Sequence, residues 1–361
     1  MKRIILVLMV LASSTITFAH DFSVRLADGQ QLYFNITDAE KNLVELTYPA
    51  KINNTRPIYT GKLTIPATVQ WNNKVYRVTA VGKKAFVNDT NLTDVVMPSG
   101  LTKIDDFAFE GCTSLRSIIF PGNKVAFGSG TFFRCTAIEN VTLGGDWTTL
   151  DMKVFRWSKR LQYINLPAKM EKITNMKSLK YLKEITVDVN NRTFTAIDGV
   201  LYDKGATTLL CCPRNYGSYL TVPTGVLEVR WGAIGDCQNI KTVVLPTTLK
   251  LLSYREFADM QSLKQIVMKN PTPIITAQKN NERYFLLIIP DNSVNIYVPK
   301  SARKAYVKKL APESGNYSEI EENLPLAMDK KRAVVPFVVK ENDLPSKWNI
   351  EGVSDFSSLN F

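Results

Sequence analysis

Ile104-Asp105-Asp106-Phe107-Ala108-Phe109-Glu110-Gly111-Cys112-Thr113-Ser114-Leu115-Arg116-Ser117-Ile118-Ile119-Phe120-Pro121 carries two signals in succession. Its second half, Leu115 to Pro121, alternates and is rich in β-branched and aromatic residues, which predicts a short strand. Proline ends that strand because it has no N–H for the next ladder bond. The first half turns the chain back and sends Phe109 inward. Gly111 suits the turn that closes the loop.

Both signals return every 23 residues. Leu92, Leu115, Ile138 and Leu161 form one series, followed three places on by Val95, Ile118, Val141 and Ile164. Met97, Phe120, Leu143 and Leu166 come two places later, and Phe86, Phe109, Phe132 and Phe155 mark the aromatic slot. The frame resumes at Ile240 and Leu263, again 23 apart, with Leu220 one repeat before Val243 and Phe257 again in the aromatic slot. A unit this short cannot bury its own apolar face, so neighbouring units must stack. The predicted fold is a β-rich solenoid with one parallel sheet along the array and an interior column of phenylalanines. Some coils depart from the frame. Gly144 stands where a proline ends the other strands, Ser178 occupies an aromatic slot, and the coil from Leu161 is two residues short. Distortion is expected near Met176 to Leu182.

The pattern resembles the BspA-like leucine-rich repeats of bacterial exported surface proteins. Val81-Gly82-Lys83-Lys84-Ala85-Phe86 and Ile104 to Cys112 carry the resemblance, as does Asp198-Gly199-Val200-Leu201-Tyr202-Asp203-Lys204-Gly205 leading to Cys211-Cys212-Pro213. That last stretch reads as a β-hairpin with Gly205 at a turn position of positive φ. The resemblance implies a leucine-rich-repeat solenoid used for adhesion or recognition.

Around the array, residues 1–19 are expected to be a secretory signal: Lys2 and Arg3, an apolar run to Ala12, and a cleavage site at Thr17-Phe18-Ala19. Residues 20–59 are expected to form an N-terminal β cap, with Asp28-Gly29 as a turn. Repeats are assigned to 60–275, with a hairpin excursion at 188–216. A strand and a helix from Ser301 form the C-terminal cap over 276–323, and 324–361 is a tail with one predicted strand, Ala333 to Val339. No apolar stretch of the length a membrane-spanning helix needs occurs. Of the five cysteines, Cys112, Cys135 and Cys237 share one repeat position and are read as buried free thiols.

The 361 residues are 45% apolar and 22% charged, with a net charge of +12 spread along the chain. That spread favours weak attraction to acidic glycans or cell surfaces over a nucleic-acid groove. His20 is the single histidine, which excludes His-dependent triads and two-histidine metal sites. Asp105-Asp106 and Glu321-Glu322 are adjacent pairs, which does not set two carboxyls across a sugar. Asp188-Val189-Asn190-Asn191 lacks calcium-loop spacing and reads as a solvated loop. Lys300, Arg303, Lys304, Lys308 and Lys309 read as the solvated face of the capping helix. Neither a cofactor nor a metal is expected, nor an enzymatic activity.

The candidate site is the outward face of the strand sheet, where alternation presents the third and fifth residues of each strand. These are Asp94 and Val96, Ser117 and Ile119, Asn140 and Thr142, Tyr163 and Asn165, Glu184 and Thr186, Thr242 and Val244, Gln265 and Val267. They are expected to form a continuous ladder that binds a protein or glycan ligand, with Tyr163 as its aromatic anchor. An envelope or periplasmic assembly role is the second expectation, and a polysaccharide-active enzyme the third.

Overall fold

The computed structural model describes residues 20–49, 58–122, 124–253, 256–257, 259–272, 274, 277–279, 282–284, 294–302, 305 and 350–353. The expected signal segment, the Ala333–Val339 strand and the basic helix face from Arg303 to Lys309 lie outside the described residues.

Strands β1 (Phe22–Arg25), β2 (Gln31–Asp38) and β3 (Leu43–Thr47) form an antiparallel cap. Leu32, Phe34, Val44 and Leu46 bury one face of it, and Gly29 turns at φ 87°. β4 (Gly61–Thr64) opens the array, and β5 (Thr68–Trp71) and β6 (Lys74–Val81) form a hairpin through Asn72 and Asn73, both left-handed. The apparent insertion at Asn72-Asn73 is thus a two-residue turn that matches strand twist. β6 pairs in parallel with β3, which splices the cap onto the solenoid.

Two strands per coil then follow. They are β7 (Leu92–Val96), β8 (Lys103–Ile104), β9 (Ser117–Phe120), β10 (Ala126–Phe127), β11 (Asn140–Leu143), β12 (Thr149–Asp151), β13 (Tyr163–Leu166), β14 (Lys172–Thr174) and β15 (Glu184–Val187). The longer strands stack in parallel at a one-repeat shift, Ser117 on Asn140 and Ile118 on Val141. The shorter ones form a second ladder, with Ile104 on Phe127 and Leu150 on Ile173. The third side of each coil has no regular strand, yet its amides still bond to the next coil: Phe86 N–H to the Ala108 carbonyl at 2.7 Å, Phe109 N–H to that of Thr131 at 2.9 Å.

Inside, Phe86, Phe109, Phe132 and Phe155 form the expected column, all fully buried. Ring centroids are 4.6, 5.4 and 5.2 Å apart with interplanar angles of 12°, 26° and 17°. The thiols behave as buried donors: Cys112 Sγ reaches the Phe86 carbonyl at 3.0 Å and Cys135 Sγ that of Phe109 at 2.9 Å. All five cysteines are free.

The turn side shows a regularity beyond Gly111. Lys84, Phe107 and Gly130 are left-handed, and so are Asn88, Gly111 and Arg134, one repeat apart in each series. Gly232 and Asp236 repeat the pair before Cys237. Glycine meets this requirement in some coils, while Phe107 and Lys84 adopt it at a cost that stacking must offset.

The hairpin excursion is a three-stranded meander, β16 (Phe194–Ile197), β17 (Val200–Asp203) and β18 (Thr208–Cys211). Its positive φ values fall on Asp198 (50°), Gly199 (76°) and Ala206 (51°). Gly205 lies in a turn as expected, closed by Ala206 N–H to the Asp203 carbonyl at 2.9 Å, but the positive φ expected of it falls on the next residue. Asp198-Gly199 makes the two-residue hairpin whose twist demands two left-handed residues. β19 (Tyr219–Thr221), β20 (Glu228–Val229), β21 (Thr242–Leu245), β22 (Leu251–Leu252) and β23 (Gln265–Met268) resume both ladders. Beyond them lie β24 (Ala277–Lys279), β25 (Glu282–Tyr284), β26 (Asn295–Pro299) and β27 (Ile350–Val353). The last of these pairs in parallel with β26, so part of the stretch read as a tail extends the sheet.

Candidate functional site

The outward face is not one continuous ladder. β4, β7, β9 and β11 form one sheet, β13 and β15 a second, and β19, β21, β23, β26 and β27 a third. Just past β11, on the side away from the first break, Gly144 N–H continues the ladder to β9 by bonding the Phe120 carbonyl at 2.7 Å. A Cβ on Gly144 would stand 2.6 Å from the Pro121 carbonyl oxygen, so glycine replaces proline where two coils approach too closely for a side chain. At the first break, between β11 and β13, Arg160 reaches back to Glu139 at 3.1 Å. The second break is where the meander enters.

Three of the expected outward residues are buried. Thr242, Val244 and Val267 lie inside, and Val244, Val267 and Tyr297 form a small apolar cluster apart from the main core. Val244 stacks on Val267 and Val267 on Tyr297, so apolar residues in register close this end of the face. Gln265 is half-buried and its amide oxygen accepts the Thr242 hydroxyl at 3.1 Å.

The open part runs from β7 to β15. Asp94, Val96, Ser117, Ile119 and Glu184 are half-buried, whereas Asn140, Thr142, Tyr163, Asn165 and Thr186 are exposed. Tyr163 stacks on Glu184 and Asn165 on Thr186, with the Asn165 amide donating to the Thr186 hydroxyl at 2.9 Å. Tyr163 is 53% exposed, unusually open for an aromatic on a sheet face.

Glu184 and Thr186 also line a cleft of about 550 Å³ at the second break, together with Lys183, Ile185, Val187, Ala196, Asp198, Gly199, Tyr216 and Gly217. The meander makes its far wall: Ile185 N–H bonds to the Gly199 carbonyl at 2.9 Å, and Asn215 N–H to that of Leu182 at 2.8 Å. Carboxylates, a hydroxyl, an ammonium and a phenol therefore converge on one concave surface. Burial, with a smaller effect from the Cys212 thiol, raises the Tyr216 phenol above its ordinary value. Lys183 and Tyr216 carry no signal of their own in the sequence, and Asp198 reads there only as a hairpin residue, because the strand rule covers only β15. The interruption of the repeat was the one signal pointing to them.

Other chemistry-bearing residues are structural. Asp106 accepts the Ser129 amide at 2.7 Å and Asp105 pairs with Lys103 at 2.7 Å, as solvated turn residues do. Asn191, read as part of a solvated loop, is buried: its amide donates to the Pro167 and Met170 carbonyls, and its oxygen accepts from Thr193 and Phe194. Among the described residues no group of three His, Cys, Asp or Glu side chains is placed to hold a metal ion, and no helix is long and apolar enough to cross a membrane.

A family profile described as BspA type leucine rich repeat region matches residues 79–197 and 215–282 in 6 copies. No curated protein matches the chain. Among solved structures, a leucine rich cell surface protein from Faecalibacterium prausnitzii is 22% identical, covering 78% of this chain and 90% of that one at TM-score 0.38. The pneumococcal vaccine antigen PcpA is 15% identical over 80% and 96%, TM-score 0.39. A leucine-rich repeat protein from Eubacterium ventriosum is 15% identical over 74% and 76%, TM-score 0.38.

Proposed function

The chain belongs to the BspA type leucine-rich-repeat family, and from that premise we propose that it is an exported interaction protein, non-enzymatic, that binds a protein or glycan ligand on the outward sheet face. The observation that carries this reading is the stacked set Tyr163 on Glu184 and Asn165 on Thr186, of which Glu184 and Thr186 line the cleft beside the meander. A rigid parallel sheet holds these side chains at fixed spacing, so little conformational entropy is lost when a ligand is engaged. Tyr163 supplies a broad ring with a polar tip, the kind of group that anchors interfaces. Asn165, Glu184 and Thr186 supply donors and acceptors for sugar hydroxyls or a peptide backbone. The family and the lone His20 both support recognition over catalysis.

Purified protein tested on a glycan array and on immobilised matrix proteins should show saturable binding to at least one. Tyr163→Ala should weaken it about tenfold or more, roughly 1.4 kcal/mol, without lowering the melting temperature. Absence of saturable binding on either panel, or indifference to Tyr163→Ala and Glu184→Gln together, overturns the reading.

A further inference from the structure

We infer that the row of turns on the third side of the coils is a second binding surface, for an acidic polysaccharide laid along the solenoid axis. It is distinct from the outward sheet face and does not depend on it. On this side the stretches Met152 to Lys159 and Met176 to Lys180 carry Lys153, Arg156, Lys159, Lys177 and Lys180 and no acid. Aromatic rings are interleaved with these cations. Phe133 meets Trp157 of the next coil edge-on at 5.0 Å, and Arg134 and Arg156 lie over these two rings at 5.1 and 5.7 Å. The short turns Met152–Phe155 and Met176–Ser178 pack together, and Lys177 then reaches over Trp231 at 4.6 Å. The contacts run from Phe133 through Trp157 and Lys177 to Trp231, which lies past the coil of Cys212 and is 72% exposed.

Two features point to a polyanion. Among the described residues, Arg134, Arg156 and Lys180 have no carboxylate within ion-pairing distance, so their charges are uncompensated. Stacked strands repeat at about 4.8 Å, which sets a line of cations at short, regular intervals along the axis. The rings hold the guanidinium groups in place through cation–π contacts, leaving their N–H forks for sulfate or carboxylate oxygens. A nucleic acid fits less well. A base needs a free ring face to stack on, and Phe133 and Trp157 each have a cation over the ring and also meet each other edge to face.

The test measures binding of the full chain to heparin, to fully desulfated heparin, to a single-stranded DNA of similar charge, and to phosphatidylserine vesicles. Heparin should bind in a salt-sensitive manner, at least tenfold tighter than each of the other three. The triple variant Arg134→Ala, Arg156→Ala, Lys180→Ala should weaken it tenfold or more. A control triple elsewhere on the surface, Lys62→Ala, Lys74→Ala, Lys241→Ala, should change it less than threefold. Tyr163→Ala should leave heparin binding intact, which separates failure here from failure of the sheet-face reading. No heparin binding, equal losses in the two triples, tighter binding to DNA or vesicles, or loss in Tyr163→Ala each overturns the proposal.

Discussion

Phe109 sits between Phe86 and Phe132 in the interior column, stacked on both and closed to solvent. Truncating it leaves a void shared by three coils, so Phe109→Ala should cost about 3–5 kcal/mol in chemical denaturation. A midpoint equal to the parent's would mean the column bears no stability. Asp89 poses the opposite question, a buried carboxylate that accepts the Ile58 amide at 2.5 Å and the Tyr59 amide at 3.1 Å. Burial pushes its pKa up to about 6, outweighing the two hydrogen bonds. An unfolded aspartate titrates near ~3.9, so between these values the folded state holds a proton that the unfolded state has lost. Asp89 therefore contributes stability at acid pH that declines as pH rises through about 6. Asp89→Asn keeps an acceptor oxygen and removes the charge. Its unfolding free energy in chemical denaturation should fall less than the parent's between pH 4.5 and 7.5, by a difference of the order of 1–3 kcal/mol. Equal slopes would show that Asp89 is ionised throughout. Burial raises Glu256 too, but it is present in both proteins and cancels in the comparison.

At the scale of the element, strands were the most legible feature and their interruptions the least. The alternation from Leu115 to Pro121 sufficed for β9, because a half-buried strand writes its burial pattern into consecutive residues. Gly144 was visible only as a missing proline. Its reason, the Pro121 and Gly122 carbonyl oxygens at 2.6 and 2.8 Å from where a Cβ would stand, lies a whole coil away in sequence. Gly144→Ala should therefore destabilise by about 1–3 kcal/mol, as overpacking against backbone does. Gly145→Ala, with nothing within 4 Å of its Cβ position, should stay within about 0.5 kcal/mol. Matching denaturation midpoints for the two variants would remove the close approach as the explanation. The candidate site follows the same division. Tyr163 and Asn165 were legible from period two, but the burial of Thr242, Val244 and Val267 was not. Alternation says which way a side chain points and is silent on whether anything lies over it.

Over the whole molecule the core divides in two. One part runs from the cap to Ile185 and includes Leu201, and the other includes Val200 and Tyr202 and runs to Ala302, so β17 serves both. The division falls at the meander, beyond the coil in which Ser178 ends the aromatic column. Cysteines mark each part: Cys112 and Cys135 in the first, Cys212 and Cys237 in the second. Burial raises the Cys112 and Cys212 thiols well above the ordinary range, so the native protein should resist alkylation. Under increasing denaturant, pulsed alkylation read by mass spectrometry should label one pair before the other, since repeat arrays couple mainly through nearest neighbours. Simultaneous labelling of all four would show a single cooperative unit. What the sequence determined on its own was the coil: a 23-residue period of apolar slots is local, and a unit too small to bury itself has no option but to stack. Where the sheet breaks, which end of its outer face is closed, and how Tyr216 and Asp198 come to face Glu184 were decided only in three dimensions. Those features depend on contacts between residues far apart in the chain, and a linear pattern carries no record of the distance between them.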